Sequence, residues 1–270
     1  MSLVDNADYE VFRRKVLALT GIDLGLYKSQ QMQRRIGSLM ERAGVSTFAA
    51  YGDLLGRDRA ELDRFCDYIT INVSEFFRNP EKFDELEREI LPELLARSRN
   101  LSIWSAGCSN GAEIYSVAMI LQEIAPRGYH RLLGTDIDTG ILSKALAGVY
   151  GPQDVRNVSA ARMAKYFKAD GESYVLLPEI RSKVQFKMHN LLSDPFERGF
   201  DLIICRNVVI YFTDEAKQDL YGKFWESLKD DGVLFIGGTE TILNAKDIGF
   251  APMASFFYKK VPVRKEVGVG

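Results

Sequence analysis

The sequence predicts an α/β protein. A helical bundle comes first, then a mostly parallel sheet covered on both faces by helices, with a small antiparallel β insert. Three observations carry this. Up to about Thr70, apolar residues recur at helical spacing with no strand pattern between them. From Leu101 onward, short apolar runs alternate with helical stretches, the signature of a parallel sheet. The chain has 270 residues, 46% apolar and 27% charged. At that length a core burying roughly 70–75% of the unfolded surface forms without disulfide or metal staples.

The elements follow in order. Tyr9, Phe12, Val16, Leu17 and Ile22 keep helical spacing, and Gly21 ends the run. A second helix is predicted from Ser29 to Arg42, with Met32, Ile36, Leu39 and Met40 as its apolar stripe and Gly44 as its stop. Lys28, just ahead, and Arg34, Arg35 and Arg42 make its other face positive; charge runs are usually solvated faces. A third helix covers Thr47 to Leu55 and a fourth Ala60 to Ile69. Leu101-Ser102-Ile103-Trp104 opens the sheet, Gly107 and Gly111 follow, and a helix runs from Ala112 to Ile124. Leu132-Leu133-Gly134 precedes Asp136 and a helix from Thr139 to Leu146. Val184–Met188, Phe200–Cys205 and Val233–Gly237 read as further buried strands, with a helix from Asp214 to Leu228 between the last two. Tyr174–Leu177, after Asp170-Gly171, reads as a β insert over about 165–188. Phe250–Met253 and Ser255–Tyr258 read as a closing antiparallel hairpin. The expected domains are 1–70 (helical), 71–263 (sheet) and a tail, 264–270.

Composition narrows the function. Thirty-five Lys and Arg against 37 Asp and Glu give a net charge of −2, which disfavours wholesale nucleic-acid binding. Cys66, Cys108 and Cys205 are too few and scattered for a disulfide framework, and His130 and His189 offer no zinc spacing, so no metal is expected. The acidic start lacks the basic-then-apolar order of a signal peptide, and no apolar run approaches the roughly 20 residues that span a bilayer. A soluble cytoplasmic protein without membrane insertion is expected.

In open α/β sheets, ligands bind beyond the carboxyl ends of the strands. Trp104-Ser105-Ala106-Gly107-Cys108-Ser109-Asn110-Gly111-Ala112-Glu113 stands there. No Lys follows the glycines as a nucleotide-hydrolase loop requires, and Ser109 replaces the middle glycine of a dinucleotide fingerprint. Glu113 would repel a pyrophosphate and suits a cationic group, while Asp136, ending the next strand, suits ribose hydroxyls. One acid for an amine, one for a ribose and no phosphate cradle describe S-adenosylmethionine. The alternative is an unspecialised tight turn with two solvated caps.

Several stretches together resemble one family. They are Asn72-Val73-Ser74-Glu75-Phe76-Phe77-Arg78, Gly107-Cys108-Ser109 through Glu113-Ile114-Tyr115-Ser116, Thr135-Asp136-Ile137-Asp138, His189-Asn190-Leu191, and Cys205-Arg206-Asn207-Val208-Val209-Ile210-Tyr211-Phe212. They look like the chemotaxis-receptor glutamate O-methyltransferases, the CheR family, over nearly the whole chain. The resemblance implies a Rossmann-like class I methyltransferase sheet. It implies S-adenosylmethionine bound by Asn72, Ser74, Arg78, Glu113, Asp136, Asn190, Leu191, Arg206 and Asn207, with S-adenosylhomocysteine as product. It also implies Arg78 and Tyr211 near the reactive methyl. The substrate it implies is a glutamate on the helical cytoplasmic coil of a methyl-accepting chemotaxis receptor. The basic helix, with Lys28, Arg34, Arg35 and Arg42, would touch that coil. A monomer is expected.

Two departures stand out. The family loop usually reads G-E-E-P-Y or G-Q-E-A-Y; here Ala112 takes the first acid's place and Ile114 follows Glu113. The insert turn is only Lys168-Ala169-Asp170-Gly171-Glu172, without the Gly-rich loop of members that tether to a receptor's C-terminal pentapeptide, so the chain resembles the pentapeptide-independent branch.

Methyl transfer to a carboxylate needs no general base, because a free Glu has a pKa near 4.3 and is ionised at neutral pH. The lack of a Ser/His/Asp or Cys/His constellation agrees with that. Arg78 offers a planar fork for a carboxylate, of the substrate or of the methionine end. Tyr211 and Phe212, taken alone, read as core aromatics, the cysteines as small buried hydrophobes and His189 as a structural residue. Two other functions compete: a cofactor-binding regulatory module without turnover, which Ala112 and Ile114 would suit, and a small-molecule methyltransferase, which leaves the basic helix unexplained.

Overall fold

The computed structural model describes residues 6–70 and 72–262; the tail expected at 264–270 lies outside the described residues. The chain forms two units. One holds the residues up to Asn72 together with Tyr211–Lys217; the other holds Val73–Ile210 and the residues from Gln218 onward.

The first unit contains α1 (Asn6–Thr20), α2 (Ser29–Arg42), α3 (Phe48–Arg57) and α4 (Arg59–Ile69). Its core is aromatic: Phe12 lies within 5.5–6.0 Å of the rings of Phe48, Tyr51 and Phe65. Caps set the helix starts. The Thr47 and Asp58 side chains accept from the Ala50 and Glu61 N–H groups, satisfying donors the helices leave open. Asp8 accepts from Phe48 and Ala49 N–H, tying α1 to the start of α3. Phe12 and Val16 are fully buried, but Leu17, placed with them by spacing, is exposed, because the stripe turns past it by one residue. Tyr27 pairs antiparallel with Phe212, flanked by Lys28 N–H donating to Tyr211 O and Thr213 N–H to Leu26 O, each 2.9 Å.

In the second unit the strands are β1 (Ser102–Ala106), β2 (Arg131–Asp136), β3 (Val149–Tyr150), β4 (Phe167–Asp170), β5 (Ser173–Leu176), β6 (Val184–Met188), β7 (Phe200–Cys205), β8 (Leu228–Ile236), β9 (Phe250–Ala254) and β10 (Phe257–Lys260). A seven-stranded sheet runs β6-β2-β1-β7-β8-β10-β9. It is parallel except for β10, which pairs antiparallel with both β8 and β9. The order reverses at β1, whose neighbours are β2 and β7, so the switch point opens at the carboxyl ends of β1 and β7. This is the Rossmann-like sheet expected.

Alternation divides the core between the two faces. Ile103 joins Leu202, Ile204, Val233 and Phe235 in one cluster with α7 (Ala112–Ile124). Trp104 points the other way, into Phe196, Phe200 and Phe224, its indole N–H donating to Thr135 Oγ1 at 2.8 Å.

The insert differs in extent from its expected span. The small sheet β3-β5-β4 recruits Val149–Tyr150, and Val184–Met188 returns to the main sheet as β6. There β6 is an edge strand with only Val184 buried, because no strand pairs its outer side. Gly171, with φ 59°, supplies the left-handed residue of the two-residue turn joining β4 to β5.

Helical turns fill the spacing between motifs. A run of α5 (Pro80–Glu85), a π turn over Leu86–Ile90 and α6 (Leu91–Arg97) precedes β1. Further along come α8 (Thr139–Ala147), α9 (Ala160–Tyr166), α10 (Pro178–Arg181), α11 (Asp214–Ser227) and α12 (Ala245–Ile248). Among the described residues no helix is long and apolar enough to cross a membrane.

Candidate functional site

The loop after β1 is shaped by backbone that few residues tolerate. Gly107 (φ 78°), Ser109 (φ 50°) and Gly111 (φ 79°) are all left-handed. A Cβ on Gly107 would stand 2.6 Å from Val208 Cγ2, so glycine is required there for space as well as conformation. Gly107 and Cys108 N–H both donate to Thr135 O at 2.8 Å, locking the loop to the end of β2. Asp136 completes the lock: one carboxylate oxygen accepts from Ser109 N–H (2.9 Å), the other from Asp138 N–H (3.1 Å). A carboxylate has about four acceptor sites, so acceptor capacity remains for a ligand hydroxyl.

Glu113 lies in the first turn of α7, where the helix dipole favours a carboxylate. Ser105 Oγ donates to one oxygen at 2.9 Å and Arg206 Nη1 to the other at 3.4 Å. Burial pushes the Glu113 carboxyl above its ordinary range, against the pull of Arg206, Ser105 and the Arg78 charge. Burial likewise raises Asp136, opposed by the N–H groups of Asp138 and Ser109. A cationic or hydroxylic ligand compensates both buried charges. Beside Asp136, Ser109 Oγ is buried with no hydrogen-bond partner. An orphaned hydroxyl beside Asp136, with Glu113 in the first turn of the helix that follows, fits the ribose and amino-acid ends of S-adenosylmethionine. Ala112 and Ile114, the departures from the family loop, are fully buried core residues on α7.

Arg206, expected among the cofactor residues, is nearly sealed, its side chain 2% exposed. Its guanidinium lies 4.6 Å from the Phe235 ring centroid and donates through Nη2 to Asn79 Oδ1 at 2.7 Å. The side chain thus ties Glu113 to the Phe77-Arg78-Asn79 turn, where Phe77 and Asn79 are left-handed. Arg78 is half-buried and donates to Val73 O at 3.2 Å; Ser74 is half-buried nearby in sequence.

Asn190 and Leu191 follow β6, whose Met188 pairs with Asp136. His189 N–H donates to Asp136 O at 2.9 Å, so the Asn190 turn stands beside the Asp136 strand end. Asn190 Oδ1 accepts from Leu192 N–H, and its N–H donates to Asp194. Asn207, with φ 60°, opens the turn after β7. The second unit therefore brings Arg78, Glu113, Asp136, Asn190, Leu191, Arg206 and Asn207 to the carboxyl ends of β6, β2, β1 and β7.

Asn72 and Tyr211 belong to the first unit, and their roles rest on the resemblance. Asn72 Nδ2 donates to Thr70 Oγ1 at 3.2 Å. On α2, Lys28, Arg34 and Arg42 are exposed. Arg35 is not free on that face: it donates to Tyr68 O and lies 4.5 Å over the Tyr68 ring, because α4 packs against that side of α2. Cys108 and Cys205 are buried and their thiols pushed up by burial, as expected of structural cysteines.

Sequence reasoning missed Ser105, Ser109, Asn79 and Glu240. Ser109 carried a signal, a small hydroxyl residue inside the glycine loop. Glu240 carried none, since three of its four partners lie 31–33 residues away in sequence.

Comparison with known proteins finds matches over nearly the whole chain. The CheR methyltransferase all-alpha domain matches residues 7–70 and the CheR methyltransferase SAM binding domain matches residues 72–256. A chemotaxis protein methyltransferase of Listeria monocytogenes is 45% identical over 254 residues, spanning 94% of this chain and 97% of that protein. Chemotaxis protein methyltransferase 1 of Pseudomonas aeruginosa is 35% identical over 254 residues, spanning 90% and 93%.

Proposed function

Since this chain belongs to the CheR methyltransferase family, we propose that it methylates glutamate side chains on the cytoplasmic helical coil of chemoreceptors, leaving glutamate methyl esters. Its cofactor is S-adenosylmethionine. The observation that carries the reading is the pair of carboxylates held at the strand ends, Glu113 by Ser105 and Arg206 and Asp136 by Ser109 and Asp138 N–H, with the orphaned Ser109 hydroxyl beside Asp136.

When bound, the cofactor supplies an electrophilic methyl on a sulfonium. The chain's own residues do the rest by holding and aligning. Glu113, fixed by Ser105 and Arg206, takes the ammonium, and Asp136 takes the ribose hydroxyls with its remaining acceptor sites. Asn190, Leu191 and Asn207 line the neighbouring strand ends. Arg78 orients a carboxylate through its fork. No proton needs to leave the nucleophile, so approach and alignment, worth roughly 7–11 kcal/mol, are the task of the site.

Recruitment falls to the exposed charges of α2, Lys28, Arg34 and Arg42, facing a glutamate-rich coil. The two-residue turn of the insert supports the pentapeptide-independent branch. The experiment is incubation with labelled methyl donor and receptor cytoplasmic fragments, scoring base-labile volatile methanol. Methanol release is expected. Cofactor binding without any release would replace this reading with a regulatory module.

A further inference from the structure

Glu240 follows β8 on a turn closed by its own N–H donating to Gly237 O at 3.0 Å. Its side chain folds back under the neighbouring strand end and is 6% exposed. One carboxylate oxygen accepts from the N–H groups of Val208 and Val209, both at 3.1 Å. The other accepts from Asn207 at 3.0 Å and Gly237 at 2.6 Å. These four bonds use the acceptor sites of a carboxylate, leaving none for a reactant.

Three of the four donors are consecutive amides just past β7, opening with Asn207 in a left-handed conformation. Such a turn persists only where its surroundings impose it. A Cβ on Gly237 would meet Glu240 Oε2 at 2.6 Å and Asn207 N at 2.9 Å, so glycine clears the approach. Val208 in turn fills the space where Gly107 lacks a side chain. The chain of contacts runs from Glu240 through Asn207–Val209 to Gly107, and so to the loop that carries Ser109 and leads into Glu113.

We propose that Glu240 is a positioning residue for methyl transfer: it touches neither reactant, but clamps Asn207–Val209 so that Asn207 faces the cofactor site and Val208 seats the glycine loop. The proposal rests on the methyltransferase reading above.

The test is Glu240→Gln in the full chain. The amide keeps the shape, but its NH2 then faces two N–H donors, so two of the four bonds are lost. The dissociation constant for S-adenosylhomocysteine, measured by calorimetry, should rise about ten- to a hundredfold. Glu240→Asp, which keeps the charge but shortens the reach, should show the same loss. A purely structural acid would lower the melting temperature and leave the affinity of the folded fraction unchanged; that result overturns the proposal alone. Absence of binding by the wild type overturns the methyltransferase reading, and the proposal with it. Amide exchange on the wild type needs no variant to fold. The Asn207, Val208 and Val209 amides should exchange slowly, and exchange as fast as at the exposed Gly238 and Thr239 would overturn the clamp.

Discussion

Charge reversal at Arg34 and at Arg35, made separately, should give two different phenotypes. Arg35 donates to the Tyr68 carbonyl and lies 4.5 Å over the Tyr68 ring. Arg35→Glu removes a charged hydrogen bond worth about 1.5–3 kcal/mol and a cation–π contact worth about 0.5–1 kcal/mol, and sets a carboxylate against a carbonyl oxygen. A loss of about 2–4 kcal/mol corresponds to a melting temperature lower by roughly 5–15 °C. Arg34 is exposed on the same helix, and such surface changes usually stay within about 0.5 kcal/mol. Arg34→Glu should therefore melt as wild type. If the α2 face docks the receptor coil, it replaces an exposed attraction of about 0.2–1 kcal/mol with a repulsion of similar size. That lowers kcat/KM for a receptor fragment about two- to thirtyfold at low salt. The gap should close as salt rises, since exposed charges are screened beyond about 8–10 Å at physiological ionic strength. Cofactor affinity should not change. Arg34→Glu methylating the fragment at the wild-type rate in low salt would refute docking through this face. Arg35→Glu melting as wild type would refute the anchoring role assigned to Tyr68.

Three further outcomes are expected. Asp136→Ala and Glu113→Ala should each weaken cofactor binding about ten- to a hundredfold by calorimetry; unchanged affinity in both would remove these carboxylates from the site. Deleting the last few residues of a receptor fragment should leave its methylation rate intact, whereas a large rate loss or tight binding of the free tail peptide would contradict the branch assignment. Burial lowers the His189 pKa, against the pull of Asp194 3.8 Å away. The unfolded chain therefore takes up this proton first, and stability falls as pH drops below about 6.5 toward the folded value. His189→Gln should flatten that part of a melting-temperature profile relative to wild type, leaving the share of His130, which burial also lowers.

Much of the sheet and half of the site were legible because they depend on local chemistry. Gly107 and Gly111 announce left-handed backbone after a strand, and the acids opening α7 and ending β2 stand where strand order puts ligands. Contacts set by register were not legible. Arg206 reads as a ligand residue from its motif, yet β8 and α5 enclose it between Phe235 and Phe83. Glu240 becomes visible only when β7 and β8 lie side by side. Leu17 fits a helical stripe by spacing and faces outward, since periodicity does not fix how wide a buried face is. The Pro80–Arg97 run is broken by a π turn and by Pro92, which blurs its period.

The pairing of Tyr27 with Phe212 means that the helical unit is not a contiguous piece of sequence. Its complement comes from 211–217, more than a hundred positions downstream. A chimera that exchanges residues 1–72 between relatives would leave Leu26 and Lys28 hydrogen-bonded to, and Tyr27 stacked edge-on against, a strap inherited from the other parent. The helical unit is transplanted whole only by moving both pieces together. Natural variation at Tyr27 and Phe212, whose rings meet edge-on at 5.1 Å, should accordingly travel as a matched pair, even though a reader of the linear chain would assign the two to different modules.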